Sequence, residues 1–203
     1  MKEFDFIENE RLRKQIEFLV TIDRMKEILR RTVLIDKSKR ENDAEHSWHL
    51  ALYAMILKEY CAEETDIERV IKIVLIHDLV EVYAGDTFAY DADAHLDKEK
   101  REKEAAAKLF GMLDDDQRDE INALREEFEQ GKTPEAKFAL VCDRLQPLIH
   151  NFLTEGHTWQ EGRVQAHQVL ERNNIAGDTA PEIRSLIEKA VEISVEKGIL
   201  FPD

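Results

Sequence analysis

With 203 residues, 43% hydrophobic and 36% charged, the chain is long enough for one sizeable core and has a folded rather than a disordered composition. Its formal net charge of −15, from 29 basic and 44 acidic residues, argues against a protein that coats a nucleic acid polymer through phosphate contacts. Small phosphorylated substrates stay open, because a metal and a few local cations can reverse the local field.

The N-terminus, Met1-Lys2-Glu3-Phe4-Asp5-Phe6, lacks a basic region followed by an apolar stretch, so no signal peptide is expected. No apolar run approaches the ~18 residues of a membrane span. A cytoplasmic protein without membrane contact is expected. Ile16, Leu19, Ile22, Met25, Ile28 and Leu29 space an apolar stripe along a first helix at about 9–31, ending in Arg30-Arg31 before an irregular segment, 32–42. A second helix starts near Asp43 and carries Trp48, Ala51, Leu52, Met55 and Ile56 on one side. Trp48, Phe138, Phe152 and Trp159 read as core. Thr65-Asp66-Ile67-Glu68 is a capping-box pattern opening a third, buried helix. After it, 84–95 is irregular, and long loops of this kind are often functional.

The segment 96–112 is alanine-rich and alternates Lys98, Lys100, Arg101 and Lys103 with glutamates, as an amphipathic surface helix does. Asp114 to Asp116 can cap the next helix, and the acidic clusters at 63–68, 114–120 and 126–129 read as solvated faces. Thr133-Pro134-Glu135 opens a helix over about 134–154. Thr158-Trp159-Gln160-Glu161 and Thr179-Ala180-Pro181-Glu182 open the last two by the same logic. No strand signal, internal repeat or linker is present. Cys61 and Cys142, in apolar helical settings, read as buried free thiols. The expected fold class is all-α.

One dipeptide stands out. His77-Asp78 closes the apolar run Val70-Ile71-Lys72-Ile73-Val74-Leu75-Ile76. Burying an imidazole and a carboxylate there without partners costs on the order of several kcal/mol. Coordination of one cation by both removes that cost. His46 upstream and Asp143 downstream can complete a set of four ligands. The separations, 31 residues and then 65, rule out a local zinc-finger clip, so the fold must assemble the site. Two nitrogens and two carboxylates without thiolate suit Mn, Fe, Co, Zn or Mg rather than a structural zinc. His49, one turn from His46, reads as a helix-face histidine. His95, His150, His157 and His167 show no ligand spacing.

The stretches Glu41-Asn42-Asp43-Ala44-Glu45-His46-Ser47, Ile76-His77-Asp78-Leu79-Val80-Glu81 with Gly85-Asp86, and Ala139-Leu140-Val141-Cys142-Asp143-Arg144-Leu145 resemble the motifs of the HD-domain 5′-deoxynucleotidases. These enzymes remove the 5′-phosphate from deoxyribonucleoside monophosphates. The likeness runs from about residue 12 to 175. It implies one HD-domain helical bundle over 1–203 with a metal site at its centre, a C-terminal helix (180–198) packed on it, a divalent metal, a nucleotide substrate and a homodimer. It implies that His46, His77, Asp78 and Asp143 bind the metal and that Asp78 and Glu81 serve catalysis, Glu81 by positioning or protonating groups. It places Asp86 near the sugar and Arg31 on the phosphate.

Taken alone, Glu81 also reads as a solvated carboxylate, Asp86 as a turn residue and Arg31 as a cation at a helix end. Where the family carries a Trp just after this Arg or within two residues, this chain has Thr32-Val33. Thr32 then stands in the substrate site, and the selectivity for a 2′-deoxy sugar and for the base is left open. Other HD substrates, namely dNTPs, cyclic nucleotides or guanosine tetraphosphate, are the alternative. A non-catalytic metal- or nucleotide-binding module is disfavoured by the complete ligand set.

Overall fold

Helices carry most of the chain in the structure, a computed structural model describing residues 4–91 and 93–203. The first, α1 (Glu10–Ile22), starts where Asn9 Oδ1 accepts the Leu12 N–H at 3.0 Å. It ends well before residue 31. One 3₁₀ turn, Asp23–Lys26, follows, and Leu29–Val33 forms strand β1, paired antiparallel with β2 (Arg40–Asn42). The expectation of a helix to 31 and of no strands therefore fails here. An extended backbone points successive side chains to opposite sides. That lets Arg30 reach inward to Asp78 while Arg31 lies over Phe88. The hairpin is held from outside by Arg40, which donates to the carbonyls of Leu29 (2.8 Å) and Arg30.

Helix α2 (Asp43–Ile56) opens with a reciprocal cap. Glu45 N–H donates to Asn42 Oδ1 at 2.9 Å, and Asn42 N–H to Glu45 Oε2 at 3.2 Å. Its buried face is Asp43, His46, Ser47, Leu50 and Ala54. Trp48, expected to be core, points outward instead, with Leu52, Met55 and Ile56 beside it. Trp48 is 61% exposed, Met55 50% and Ile56 72%, because the helix is turned to bury His46 and Asp43. Helix α3 (Ile67–Ile76) is capped by Asp66 rather than Thr65: Asp66 Oδ1 accepts from Glu68 and Arg69. It stops at Ile76. His77–Val80 form a turn, and α4 (Glu81–Ala84) begins on the far side.

Helices α5 (Lys98–Phe110), α6 (Asp115–Gln130) and α7 (Pro134–Leu153) follow the expected pattern, with Thr133 Oγ1 accepting the Ala136 N–H at 3.1 Å. The acidic start of α6 is more than a solvated face. Arg11 grips Asp116 at 2.8 and 2.7 Å, and Lys14 reaches Asp114 at 2.8 Å, tying α1 to α6. Four helices close the chain: α8 (His157–Gly162), α9 (Ala166–Arg172), α10 (Ala176–Thr179) and α11 (Pro181–Glu196). Neither Thr158 nor Thr179 is an N-cap. Asn151 Oδ1 takes the N–H groups of Thr158 (3.0 Å) and Trp159 (3.2 Å) in place of a local cap, and Thr179 ends α10.

Two apolar clusters form. The larger joins α2, α3 and α6–α11 around Leu50, Ile73, Phe138, Trp159 and Ile187. The smaller gathers Phe18, Met25, Leu79, Val82, Leu109 and Phe110 from α1, the 77–80 turn, α4 and α5. Ile76 packs against both, so His77-Asp78 sits at their seam. Cys142 is buried and Cys61 half-buried, both as free thiols.

Gly156, before α8, has φ +69°, and a Cβ there would meet the Ile199 carbonyl oxygen at 2.0 Å. Gly156→Ala is expected to cost about 2 kcal/mol or more in urea unfolding, from strain and from displacement of the C-terminal segment.

Candidate metal centre

His46 from α2, His77 and Asp78 at the end of α3, and Asp143 from α7 converge. His46 Nε2 lies 3.1 Å from Asp143 Oδ1 and 4.0 Å from Asp78 Oδ2. His77 Nε2 lies 3.0 Å from Asp78 Oδ2 and 3.7 Å from Asp143 Oδ1. Neighbouring donors on a cation with bonds of about 2.0–2.2 Å sit about 3–4 Å apart, and all four separations fall in that range. Pro147, one turn beyond Asp143 in α7, lacks the N–H that would bond the Asp143 carbonyl, which loosens the helix at Asp143.

The protons are arranged for a cation. His77 Nδ1–H donates to the Val74 carbonyl at 2.8 Å, so Nε2 is the nitrogen left to take a proton or a cation. That Nε2 is buried and has no hydrogen-bond partner. Burial alone would lower the pKa of His77, yet Asp78 and Asp143 outweigh it and hold it up at about 10. Asp143 and Asp78 are correspondingly pulled below the usual carboxylate range, against burial, chiefly by the two histidines. A field that favours a proton on these nitrogens favours a divalent cation more. The residues present fit a metal.

Behind His46 lies a second buried cluster, of Glu41, His49 and His150, whose donor atoms are also close enough for an ion. Its centre is taken by the Gln146 amide. Gln146 Nε2 donates to Glu41 Oε1 at 2.5 Å and faces His150 Nε2 at 3.2 Å and His49 Nδ1 at 3.4 Å. His150 Nδ1–H in turn donates to the Val33 carbonyl at 3.1 Å. A carboxylate only accepts, so the amide nitrogen must face Glu41. Gln146 Oε1 then faces His46 Nδ1 at 3.2 Å and accepts its proton. This fixes the His46 tautomer with its Nε2 lone pair toward Asp143. His49 is thus half-buried rather than a free surface histidine, and His150 is a buried partner that its spacing did not reveal.

On the Asp78 side stands an acidic wall. Arg30 Nη1 donates to Asp78 Oδ2 at 2.8 Å and to Asp43 Oδ1 at 3.3 Å. Asp43, Asp78 and Glu81 offer carboxylate oxygens within 4.8 Å of one another. Glu81 is buried, not solvated. Burial, with Asp78 and Asp43 adding to it, pushes Glu81 well above the ordinary carboxylate range. Burial and Asp78 push Asp43 up to about 6.

A cavity of about 420 Å³ opens onto the centre. Its walls include Arg31, Thr32, His77, Asp78, Glu81, Asp86 and Asp143, so seven of the eight expected site residues share it, with His46 just behind. Arg31 is 43% exposed, with its guanidinium 4.5 Å over the Phe88 ring and 4.0 Å from Asp91. Thr32 is buried. Gly85 (φ 75°, ψ 154°), a conformation open essentially to Gly alone, turns the chain from α4 toward Asp86. Arg101 pins the following loop, donating to the Ala84 carbonyl (2.8 Å), Thr87 Oγ1 (3.1 Å) and the Ala94 carbonyl (3.1 Å).

The chain is similar to known proteins in sequence and in fold. The family model described as HD domain matches residues 22–184. The chain is similar to 5′-deoxynucleotidase HDDC2 of Danio rerio, 30% identical over 151 residues, covering 74% of each chain. It is similar to 5′-deoxynucleotidase HDDC2 of Homo sapiens, 27% identical over 154 residues, 75% of this chain and 74% of the relative. Among solved structures it is similar to a "predicted metal-dependent phosphohydrolase" from Magnetospirillum magnetotacticum MS-1. That match has a TM-score of 0.89 and 46% identity, over 97% of this chain and 98% of that one. A conserved hypothetical protein from Pyrococcus furiosus shares the fold, with a TM-score of 0.58 at 23% identity, over 86% of this chain and 98% of that one.

Gln146→Leu removes the acceptor for His46 Nδ1–H and leaves Glu41 buried without its donor. Metal affinity, measured by chelator competition, is expected to fall about 10–100-fold. An unchanged affinity would show that the amide plays no part in presenting His46.

Proposed function

The chain belongs to the HD domain family, and from that premise we propose that it is a metal-dependent phosphomonoesterase hydrolysing (deoxy)nucleoside 5′-monophosphates to nucleoside and phosphate. The observation that carries this reading is the convergence of His46, His77, Asp78 and Asp143 on one point at the floor of a cavity that also holds Glu81 and Arg31. These four side chains would hold a divalent ion, with Mn, Co, Mg, Fe and Zn all compatible with the donor set. When bound, such an ion stabilises charge on phosphoryl oxygens and acidifies a water.

The chain's own residues supply the rest. Arg30 neutralises part of the acidic wall and holds Asp78 in place. Arg31 reaches the phosphate from β1, where its planar fork matches phosphate oxygens. Glu81, kept protonated by burial and its carboxylate neighbours, has a buried Oε2 free of other partners. From there it passes a proton to the leaving 5′-oxygen of the sugar. Asp86 and Thr32 line the side where the sugar lies.

We also infer a homodimer joined through the outward stripe of α2, in which Trp48, Leu52, Met55 and Ile56 recur at helical spacing and are left exposed. Two unpaired cysteines favour a cytoplasmic location. No described helix is long and apolar enough to cross a membrane.

Phosphate release from deoxy- and ribonucleoside monophosphates, each with Mn, Co, Mg and Zn, is the direct test, and release from none of them rejects the reading. Triphosphate or pyrophosphate as product points instead to another HD substrate. Asp78→Ala is expected to lose both metal and activity. Glu81→Ala is expected to keep the metal and lose about 100-fold or more in kcat. Trp48→Glu with Ile56→Lys is expected to give a folded monomer by light scattering.

A further inference from the structure

The cavity beside the metal ligands has two electrostatic halves. Asp43, Asp78, Glu81 and Asp86 gather on one side, with the single guanidinium of Arg30 among them. A phosphate ester carries about −1.5 to −2 charges near neutral pH, so the ionised carboxylates of that side, Asp78 first, offer it no seat, although neutral Glu81 can stand beside its bridging oxygen. On the Asp143 side stand Arg144 and Arg172. Arg172 Nη2 lies 3.6 Å from Asp143 Oδ2. Arg144, the next residue after that ligand, donates from Nη1 to the Arg172 carbonyl at 2.6 Å.

Both guanidinium groups stay charged, and both line the same two cavities. Among the described residues no carboxylate forms an ion pair with Arg144, and its Nε is buried without a hydrogen-bond partner. Two adjacent, partly desolvated cations sharing so little counter-charge are costly unless an anion completes them.

Space for that anion is present. Both arginines line the metal cavity and also a second one of about 440 Å³, which shares Ala89, Tyr90 and His95 with the first. The pair therefore borders open volume on the metal side and beyond it.

We infer that Arg144 and Arg172 form the principal phosphate seat of this site, so that the phosphoryl group lies on the Asp143 side and the nucleoside runs toward Asp86. The inference rests on the phosphomonoesterase reading for the identity of the anion, but the seat itself is a claim about these two side chains. It also orders the roles of the cations. Arg31, half exposed and already near Asp91, is a secondary contact. Arg30, whose charge is already countered by Asp43 and Asp78, is none.

The test uses the Mn-loaded full chain and inorganic phosphate as the probe, by titration calorimetry. Arg144→Met is expected to weaken phosphate binding about tenfold or more, with Mn affinity within about twofold of the parent. Arg144→Lys should restore part of the loss. KM for a nucleoside monophosphate should rise, while inhibition by the unphosphorylated nucleoside should not change. Phosphate affinity unaltered in Arg144→Met overturns the seat, as does an equal loss for phosphate and nucleoside. Should Arg144→Met fail to fold, Arg172→Gln read against Arg172→Lys decides by the same criterion. If the parent releases phosphate from no monophosphate, the proposed function falls. Phosphate binding that still depends on the pair would then leave the seat standing, and absence of phosphate binding by the parent would remove it.

Discussion

Electron-rich groups facing one another with no proton donor between them set the terms for this protein. His77 turns its lone pair inward because its other nitrogen is committed to the Val74 carbonyl. His46 does the same because Gln146 takes its Nδ1 proton. With Asp78 and Asp143 added, the centre attracts positive charge, and mutual repulsion of the carboxylates would work against the fold without it. The surrounding structure answers that demand in layers: Arg30 behind Asp78, Arg172 behind Asp143, and the Gln146 amide behind His46.

The buried Glu41–His49–His150 group shows why a cluster of possible ligands is not by itself a metal site. Its acceptors already surround an amide NH₂, which has two hydrogens to give and no lone pair to offer a metal. The group works as a cradle that leaves Gln146 one orientation. Charge then runs in sequence, from the Glu41 carboxylate through the amide and imidazole to the centre. The two links before the centre, Gln146 to Glu41 and His46 to Gln146, are hydrogen bonds with only one chemically permitted direction.

Much of the site was legible in the chain. His46, His77, Asp78 and Asp143, which the structure brings together, could be picked out as candidates because a buried histidine–carboxylate pair is expensive and the other two stand in helical contexts. Asp43 and Gln146 carried a weaker signal, each three positions from a ligand on its own helix and so near the same face. Arg30 was hidden. The stretch before it has helical apolar spacing, and only the strand places it opposite Arg31. Arg172 was hidden more deeply, since nothing local links α9 to a ligand on α7. Helix boundaries at 158 and 179 were misplaced because Asn151, remote from the α8 terminus in sequence, supplies the donors' partner and Pro181 follows an uncapped Ala180.

The orientation of α2 joins fold to function. Its apolar residues Trp48, Leu52, Met55 and Ile56 form a face wide enough to be the buried one, and by hydrophobic patterning alone it would be. The helix turns instead to bury Asp43, His46 and Ser47 beside Leu50 and Ala54. Two of those polar groups find partners within: Asp43 Oδ1 accepts from Arg30, and His46 Nδ1–H donates to Gln146 Oε1. The centre therefore decides which side of α2 is inside. The displaced apolar stripe is the consequence, left on the outer side of the helix.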